Sequence, residues 1–385
     1  QAGNGWILSG CVENMGMSER MPSFVTEPCD VWTALQRETR PICLYGMGDG
    51  AEKILRVCEQ RNIPIAGIFA SDEFVRGHSF AGFVVKKRAD LERELGDFVA
   101  VIAFASSRPD VLALFDDLDS THTTYAPDVP VAEGQLFDWA FAQKHCEELE
   151  QAYALLADDR SREVFAATVN FKLSGKLHWL RDYTDSRESV FETYLKPTQQ
   201  EHFVDLGAYN GDTIRELLSF TGGNYASITA LEPDRKTFKK LKKYVEQAHL
   251  DNVNLVNAGA WSEPGELLFG GKAGRNSALT PVMNEVSHDK RTVMIPVESV
   301  DHVLNGAPCT LLKLDVEGAE RMALEGARHT IEKYRPRISL SAYHRSEDLY
   351  ELPLLLRDMC ADVRLGMRHH PYVPAWETNF YVTFG

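Results

Sequence analysis

Apolar residues along the chain switch between two spacings. Unbroken apolar runs at Pro41-Ile42-Cys43-Leu44-Tyr45, Ile63 to Ala70 and Phe98 to Phe104 flank a stretch where Ala51, Ile54, Leu55 and Cys58 share a helical face. Continuous apolar strands alternating with helices predict a parallel sheet covered on both faces. From about 131 to 198 the spacing is helical, over Glu147 to Leu156 and Arg160 to Leu173, without a strand signal. A second βα series then opens. Its expected strands are His202 to Leu206, Ser227 to Leu231, Val253 to Val256, Thr310 to Leu314, Arg337 to Ala342, Asp362 to Met367 and Phe380 to Phe384. The fold class expected is α/β in four parts: an N-terminal extension (1–40), a Rossmann-like accessory domain (41–130), a helical connector (131–199) and a second Rossmann-like domain with a seven-stranded sheet (200–385).

The length of 385 residues suits two cores and a connector. A net charge of −15 repels a phosphate backbone, so nucleic acid is not expected as a partner. The densest basic cluster, Lys239, Lys240, Lys242 and Lys243, reads as a solvated helix face. No apolar run nears the roughly 18 residues that span a bilayer, and no basic start followed by an apolar block signals secretion. No membrane association is therefore expected. Seven cysteines, Cys11 among them, form no CxxC pair, which suits reduced thiols and a cytoplasmic location.

The most informative stretch is His202-Phe203-Val204-Asp205-Leu206-Gly207-Ala208-Tyr209-Asn210-Gly211-Asp212-Thr213. It reads as strand, tight turn and helix start, with Gly207 free to turn sharply and Gly211 allowing close entry to the helix. The spacing is DxGxxxG with an acid at the strand end, not the GxGxxG that cradles a pyrophosphate. An acid there suits a cationic, hydroxyl-rich ligand, and S-adenosylmethionine offers a sulfonium, an amino group and ribose hydroxyls. Glu232 ends the next strand, where a carboxylate can take both ribose hydroxyls. The expected cofactor site is Asp205, Gly207, Ala208, Tyr209, Asn210, Gly211, Thr213 and Glu232, with Ala258 and Gly259 leaving room for an adenine edge after the third strand.

At Leu311-Leu312-Lys313-Leu314-Asp315-Val316-Glu317-Gly318-Ala319-Glu320 the chain resembles the FkbM family of methyltransferases, supported by Val204 to Thr213 and Val300-Asp301. The segment from Ser341-Ala342-Tyr343-His344 to Glu377-Thr378 is similar to a subgroup with an extra N-terminal domain. The resemblance implies a class I methyltransferase fold and O-methylation, often of sugar or polyketide hydroxyls. Ser341 stands near where many members carry a Glu before the His.

A hydroxyl acceptor needs its proton removed by a base within hydrogen-bond reach. Asp315 and His344, at the ends of the fourth and fifth strands, are the expected catalytic pair, one as base and the other orienting it. Glu317, Arg368 and His369 are expected to bind a small-molecule or carbohydrate acceptor. Blander readings stand beside these: Glu317 and Glu320 as first-turn acids, His344 as a structural histidine, Arg368-His369-His370 as a strand-end cluster. Nothing in the spacing demands a metal, and none is assigned. The first glycine turn, Gly46-x-Gly48-x-Gly50, has its third glycine one residue early for a dinucleotide. It is read as an accessory unit for substrate or homodimer contact. The alternative is a nicotinamide-dependent oxidoreductase or nucleotide-sugar-binding protein, with Asp72 taking a ribose.

Overall fold

The computed structural model describes residues 20–132, 134–270, 278–280 and 293–385; the first part of the expected extension, with Cys11, lies outside them. The remaining six cysteines are free. Among the described residues no helix is long and apolar enough to cross a membrane.

The N-terminal sheet has six strands in the order Ser79–Phe80, Phe83–Lys87, Gly67–Ala70, Ile42–Tyr45, Val99–Ile102, Thr124–Tyr125, parallel apart from the first pair. The run from Ile63 yields a strand only from Gly67, because Pro64 has no N–H to give to a ladder. At the glycine turn, a Cβ on Gly50 would press on the Ala103 carbonyl, so strand-to-helix packing already demands that glycine. Asp72 is paired with Lys87 at 3.0 Å.

The helix Asp159–Ser174 joins the two halves. Asp158 caps it by accepting from Ser161 N, and Gly175 ends it in the left-handed conformation. Phe165, Val169 and Leu173 pack in the C-terminal core, and Phe171 packs in the N-terminal one. One helix therefore serves two domains through opposite faces. On the same helix Lys172 is buried against Asp128 at 2.7 Å.

The C-terminal sheet contains β1 (His202–Leu206), β2 (Ser227–Leu231), β3 (Val253–Val256), β4 (Leu311–Leu314), β5 (Arg337–Ser341), β6 (Val363–His369) and β7 (Thr378–Phe384). Their order is β6-β7-β5-β4-β1-β2-β3, with β7 antiparallel to both neighbours and the other pairs parallel. This is the class I methyltransferase arrangement. Alternate residues face opposite sides: Val204, Leu312, Leu340 and Phe380 enter one core, while Phe203, Leu311 and Tyr381 enter another. Between β3 and β4 lies a small sheet built from Gly259–Ala260, Val293–Glu298, Gly265–Gly270 and Ala278–Thr280. The helix after β4 is broken into Glu320–Glu325 and Arg328–Tyr334. The second piece gains its own cap, since the Asp301 carboxylate accepts from His329 N and Thr330 N at 3.0 and 2.8 Å.

Candidate active site

A cavity of ≈710 Å³ opens at the C-terminal ends of β1, β2, β4 and β5, the place where open α/β sheets bind ligands. Two clusters share it.

The first cluster surrounds Glu232. Its side chain is nearly buried, with Oε1 accepting from Asp234 N at 2.9 Å and Oε2 from Tyr209 N at 3.0 Å. Burial pushes its carboxyl up to about 7 against the pull of those two amides. Asn257 Nδ2 donates to the Glu232 carbonyl at 2.9 Å and fixes the strand end. Gly207, Tyr209, Thr213, Glu232 and Gly259 line the cavity.

The rest of the expected cofactor set stands behind this wall. Asp205 is fully buried beneath the turn, bound by Thr213 Oγ1 and 3.3 Å from Lys313 Nζ. Burial opposes the charge on Lys313, but Asp205 and Asp315 outweigh it and hold its pKa above the ordinary lysine value. Asp205 thus shapes the turn and lies outside the cavity lining. Ala208, Asn210, Gly211 and Ala258 are likewise outside the lining. The glycines also have another cause. A Cβ on Gly207 would collide with the Asp315 carbonyl, and one on Gly211 would press on the Tyr244 ring, each at positive φ. Close packing of β1 against β4, and of the turn against the helix Arg235–Gln247, demands glycine before any ligand does.

The second cluster gathers the residues after β4 and β5. His344 is buried, with Nδ1 2.8 Å from Glu320 Oε1 and Nε2 3.5 Å from both Asp315 Oδ1 and Glu317 Oε2. Burial opposes the imidazolium, but Glu320, Glu317 and Asp315 together raise its pKa to about 10. Held between three carboxylates, the imidazole is placed to orient them. Burial would raise Asp315, but Lys313 and His344 pull it below the usual aspartate range. Tyr343 OH donates to Asp315 Oδ1 at 3.2 Å. Burial pushes the Glu317 carboxyl up to about 8, against the pull of His344. Glu317 also sits at φ 54, a strained conformation for a residue with a Cβ.

Arg368 and His369, expected at the acceptor, are absent from the lining. Arg368 turns to the connector, where Nη1 donates to Ser161 Oγ at 2.8 Å and the guanidinium covers the Tyr194 ring at 5.2 Å. His369 is buried with Nδ1 2.9 Å from Thr378 Oγ1, and burial lowers its pKa to about 3. In their place the cavity meets Tyr343, Tyr372, Trp376, Glu377 and Arg187. Tyr343 and Tyr372 lie 6.5 and 5.5 Å from the Trp376 ring. Arg187 pairs with Glu216 at 2.8 Å and Glu377 at 3.0 Å. Sequence reasoning missed these because Tyr372 and Trp376 lie in an irregular loop between β6 and β7, Tyr343 follows β5 beside the histidine that drew attention, and Arg187 comes from the connector. Glu320 had been read as a helix acid; its second oxygen accepts from Gly318 N at 3.0 Å and its first from Val316 N at 2.9 Å, so it ties the loop to His344.

The connector also contributes a strap. Val131 lines the cavity, Ala132 N donates to the His344 carbonyl at 3.2 Å, and a Cβ on Gly318 would press on the Ala132 Cβ. From the accessory domain, Lys53 Nζ donates to the carbonyls of Pro130 at 2.9 Å and Val131 at 3.1 Å.

Residues 205–372, which span both clusters, match the model of the methyltransferase FkbM domain. The chain carries an FkbM methyltransferase domain. The whole architecture is similar to the crystal structure of a methyltransferase FkbM from Methylobacillus flagellatus KT, at 22% identity over 93% of this chain and 94% of that one, with a TM-score of 0.70. That likeness bears on fold. Looser similarities include an rRNA methylase from Streptococcus thermophilus (11% identity, 51% of this chain and 92% of that one, TM-score 0.32). A precorrin-6y C5,15-methyltransferase from Geobacter metallireducens GS-15 is comparable (13%, 52% and 91%, TM-score 0.31). No curated protein matches the chain. The matched segment places the FkbM domain in the C-terminal half, outside the first glycine turn.

Proposed function

We propose that the FkbM domain transfers the methyl group of S-adenosylmethionine to a hydroxyl oxygen of a carbohydrate-like small molecule. The observation that carries this reading is the meeting of the two clusters on one cavity: a desolvated carboxylate at the end of β2, and a carboxylate pair held by an imidazolium after β4 and β5.

Glu232 fits a ribose diol, because a carboxyl buried this far gains from two hydroxyl donors. Gly259 and Tyr209 line the cavity with it. When bound, S-adenosylmethionine supplies a methyl group already activated by its sulfonium. The chain's own residues then position the acceptor and take its proton. Glu317 in its ionised form is the group suited to take that proton: it lines the cavity, and a carboxyl pushed up to about 8 is a stronger base than Asp315 once ionised, so transfer should quicken as pH rises toward 8. Asp315 stays ionised, accepts from Tyr343, and with His344 fixes the geometry. Trp376 and Tyr372 offer apolar faces to a sugar ring, and Glu377 and Arg187 offer polar edges to its hydroxyls.

Calorimetry with S-adenosylmethionine tests the first half. The wild-type protein should bind it, and Glu232→Ala should lose at least tenfold in affinity, about 1.4 kcal/mol. Folded wild-type protein that fails to bind would end the reading. Transfer of labelled methyl into the carbohydrate or small-molecule fraction of a host extract tests the second half; label found only in protein or nucleic acid would refute the acceptor class.

A further inference from the structure

We propose that the cavity continues below its rim into a tail chamber, so that the acceptor is an amphiphile and not a free sugar. Its hydroxyl-bearing head would meet the rim while an apolar group, as in a glycoside of an apolar alcohol, enters the chamber. The proposal rests on the hydroxyl-acceptor reading above and deepens it.

The register of the strands gives the chamber its levels. Along β4, β5 and β7 alternate residues face the cavity. Tyr343 and Glu377 stand at the rim, beyond the strand ends. Deeper in, Ser341 pairs with Asn379, and below that pair Ser339 lies opposite Tyr381. At the lowest level Leu311 pairs with Phe203 of β1, and all of these residues line the cavity. From Asp315 down to Leu311 the descent is about 13 Å at the ordinary rise of a strand.

Chemistry changes with that depth. Charge at the rim gives way to neutral hydroxyl and amide groups, and these give way to hydrocarbon. A sheet covered on both faces is ordinarily apolar on both, and the opposite face obeys, with Leu312, Leu340 and Phe380 fully buried in the core. Ser339, Ser341 and Asn379 break that pattern on the face that looks into the cavity. Neutral polar groups there suit a ligand that brings its own hydrogen bonds. For Tyr381 the direction of that bond is fixed. Burial keeps His370 neutral, and its Nδ1 lies 2.9 Å from the Asp185 carbonyl, which can only accept. Nδ1 therefore carries the proton, and Nε2 accepts from Tyr381 OH at 2.7 Å. With its proton committed, the phenol oxygen can only accept from the cavity side, and a ligand hydroxyl must donate to it.

The facing wall is apolar and held in place. Val190, Phe191 and Leu195 of the connector line the cavity and share one core with Phe203 and Leu311. They belong to the helical turn Arg187–Val190 and the π-helical turn Phe191–Leu195, closed where Lys196 N donates to the Phe191 carbonyl at 2.7 Å. Single turns of this kind recur at functional sites. Arg187 ties one end of the wall to Glu216 and Glu377, and Arg337 Nη1 ties the other by donating to the Lys196 carbonyl at 2.7 Å. A chamber held open in this way receives an apolar group without rebuilding the core. Glu232 ends β2, which β1 and β4 separate from β5, so the cofactor cluster does not compete for it.

The test is calorimetry of the full-length protein with alkyl β-glucosides from methyl to decyl, each below its micelle concentration. Affinity should rise by about tenfold or more from methyl to octyl, at one ligand per chain, and should level off once the tail fills the chamber. Ser339→Leu puts bulk at the middle level, and it should remove that gain while S-adenosylmethionine affinity stays unchanged. Should the variant fail to fold, the wild-type series decides alone, because partition onto the surface shows neither a plateau nor a fixed stoichiometry. Octyl glucoside bound no better than methyl glucoside, a gain without a plateau, or a gain that survives in folded Ser339→Leu would each overturn the chamber. S-adenosylmethionine calorimetry on the same sample separates the two readings: cofactor bound without any tail preference sinks the chamber and leaves the methyltransferase reading standing.

Discussion

At the scale of single residues, the site divides into groups that touch ligands and groups that hold them. Glu317→Gln keeps the shape of the side chain but removes its capacity to take a proton, and kcat should fall by about 10²–10⁴-fold. Cofactor affinity should be unchanged, because Glu232 lies in the other cluster. Weaker cofactor binding together with unchanged kcat would show that Glu317 is placed wrongly here. His369 and His370 illustrate the second kind. Burial lowers them to about 3 and about 4, below the ordinary histidine value near 6.5. Both are neutral when folded, so the unfolded chain binds more protons below pH 6.5. Their contribution is complete above that pH and is lost as pH falls, by about 1.4 kcal/mol per pH unit for each histidine. Because the raised carboxyls of Glu232 and Glu317 act in the opposite sense in both proteins, the loss is read as the difference in urea midpoint between wild type and His369→Asn/His370→Gln, which should shift against the wild type between pH 7 and pH 5. An equally steep dependence in that double variant would contradict the assignment.

Elements carry a different lesson. The strands of the C-terminal sheet were legible because each is a short apolar run with turn residues beyond it, and β1, β2 and β3 begin and end where the pattern places them. What the pattern could not show was a partner distant in sequence. Nothing local around Ala319 to Tyr334 announces that Asp301 will cap a second helix inside that run. Nothing in Arg368 says that it will face Ser161 and Tyr194 on the connector instead of the cavity. Gly207 and Gly211 were legible as necessary, but the reason differs, since packing against Asp315 and Tyr244 demands them. The helix Asp159–Ser174 offers a test at this scale. Asp128→Ala would leave Lys172 charged inside the protein, at a cost of about 3–5 kcal/mol. Asp128→Leu combined with Lys172→Met should recover most of that, as read from chemical denaturation. A single variant as stable as the wild type would mean that the pair is more solvated than its burial indicates.

For the whole molecule, the central question is why a methyltransferase domain is joined to a second α/β domain. The answer lies in the strap at 130–132. Lys53, on the accessory domain's helix Asp49–Gln60, binds the carbonyls of Pro130 and Val131, and Val131 lines the cavity. One residue on, Ala132 donates to the His344 carbonyl and packs on Gly318. One wall of the cavity is thus held by a domain that contributes none of its lining residues. Gly318→Ala examines this link from the catalytic side. At φ 96 an alanine is strained, and its Cβ would press on Ala132, so either the strap or the Glu317 loop must move. Stability should fall by more than about 1 kcal/mol. Acceptor KM should rise while S-adenosylmethionine affinity stays near that of the wild type, because Glu232 and Tyr209 are outside the contact. Lys53→Met releases the strap from the other side without touching the loop, and it should raise acceptor KM with little change in stability. If Gly318→Ala raises KM and Lys53→Met leaves it unchanged, the wall is set by the loop alone, and the accessory domain's contribution must be sought away from the cavity.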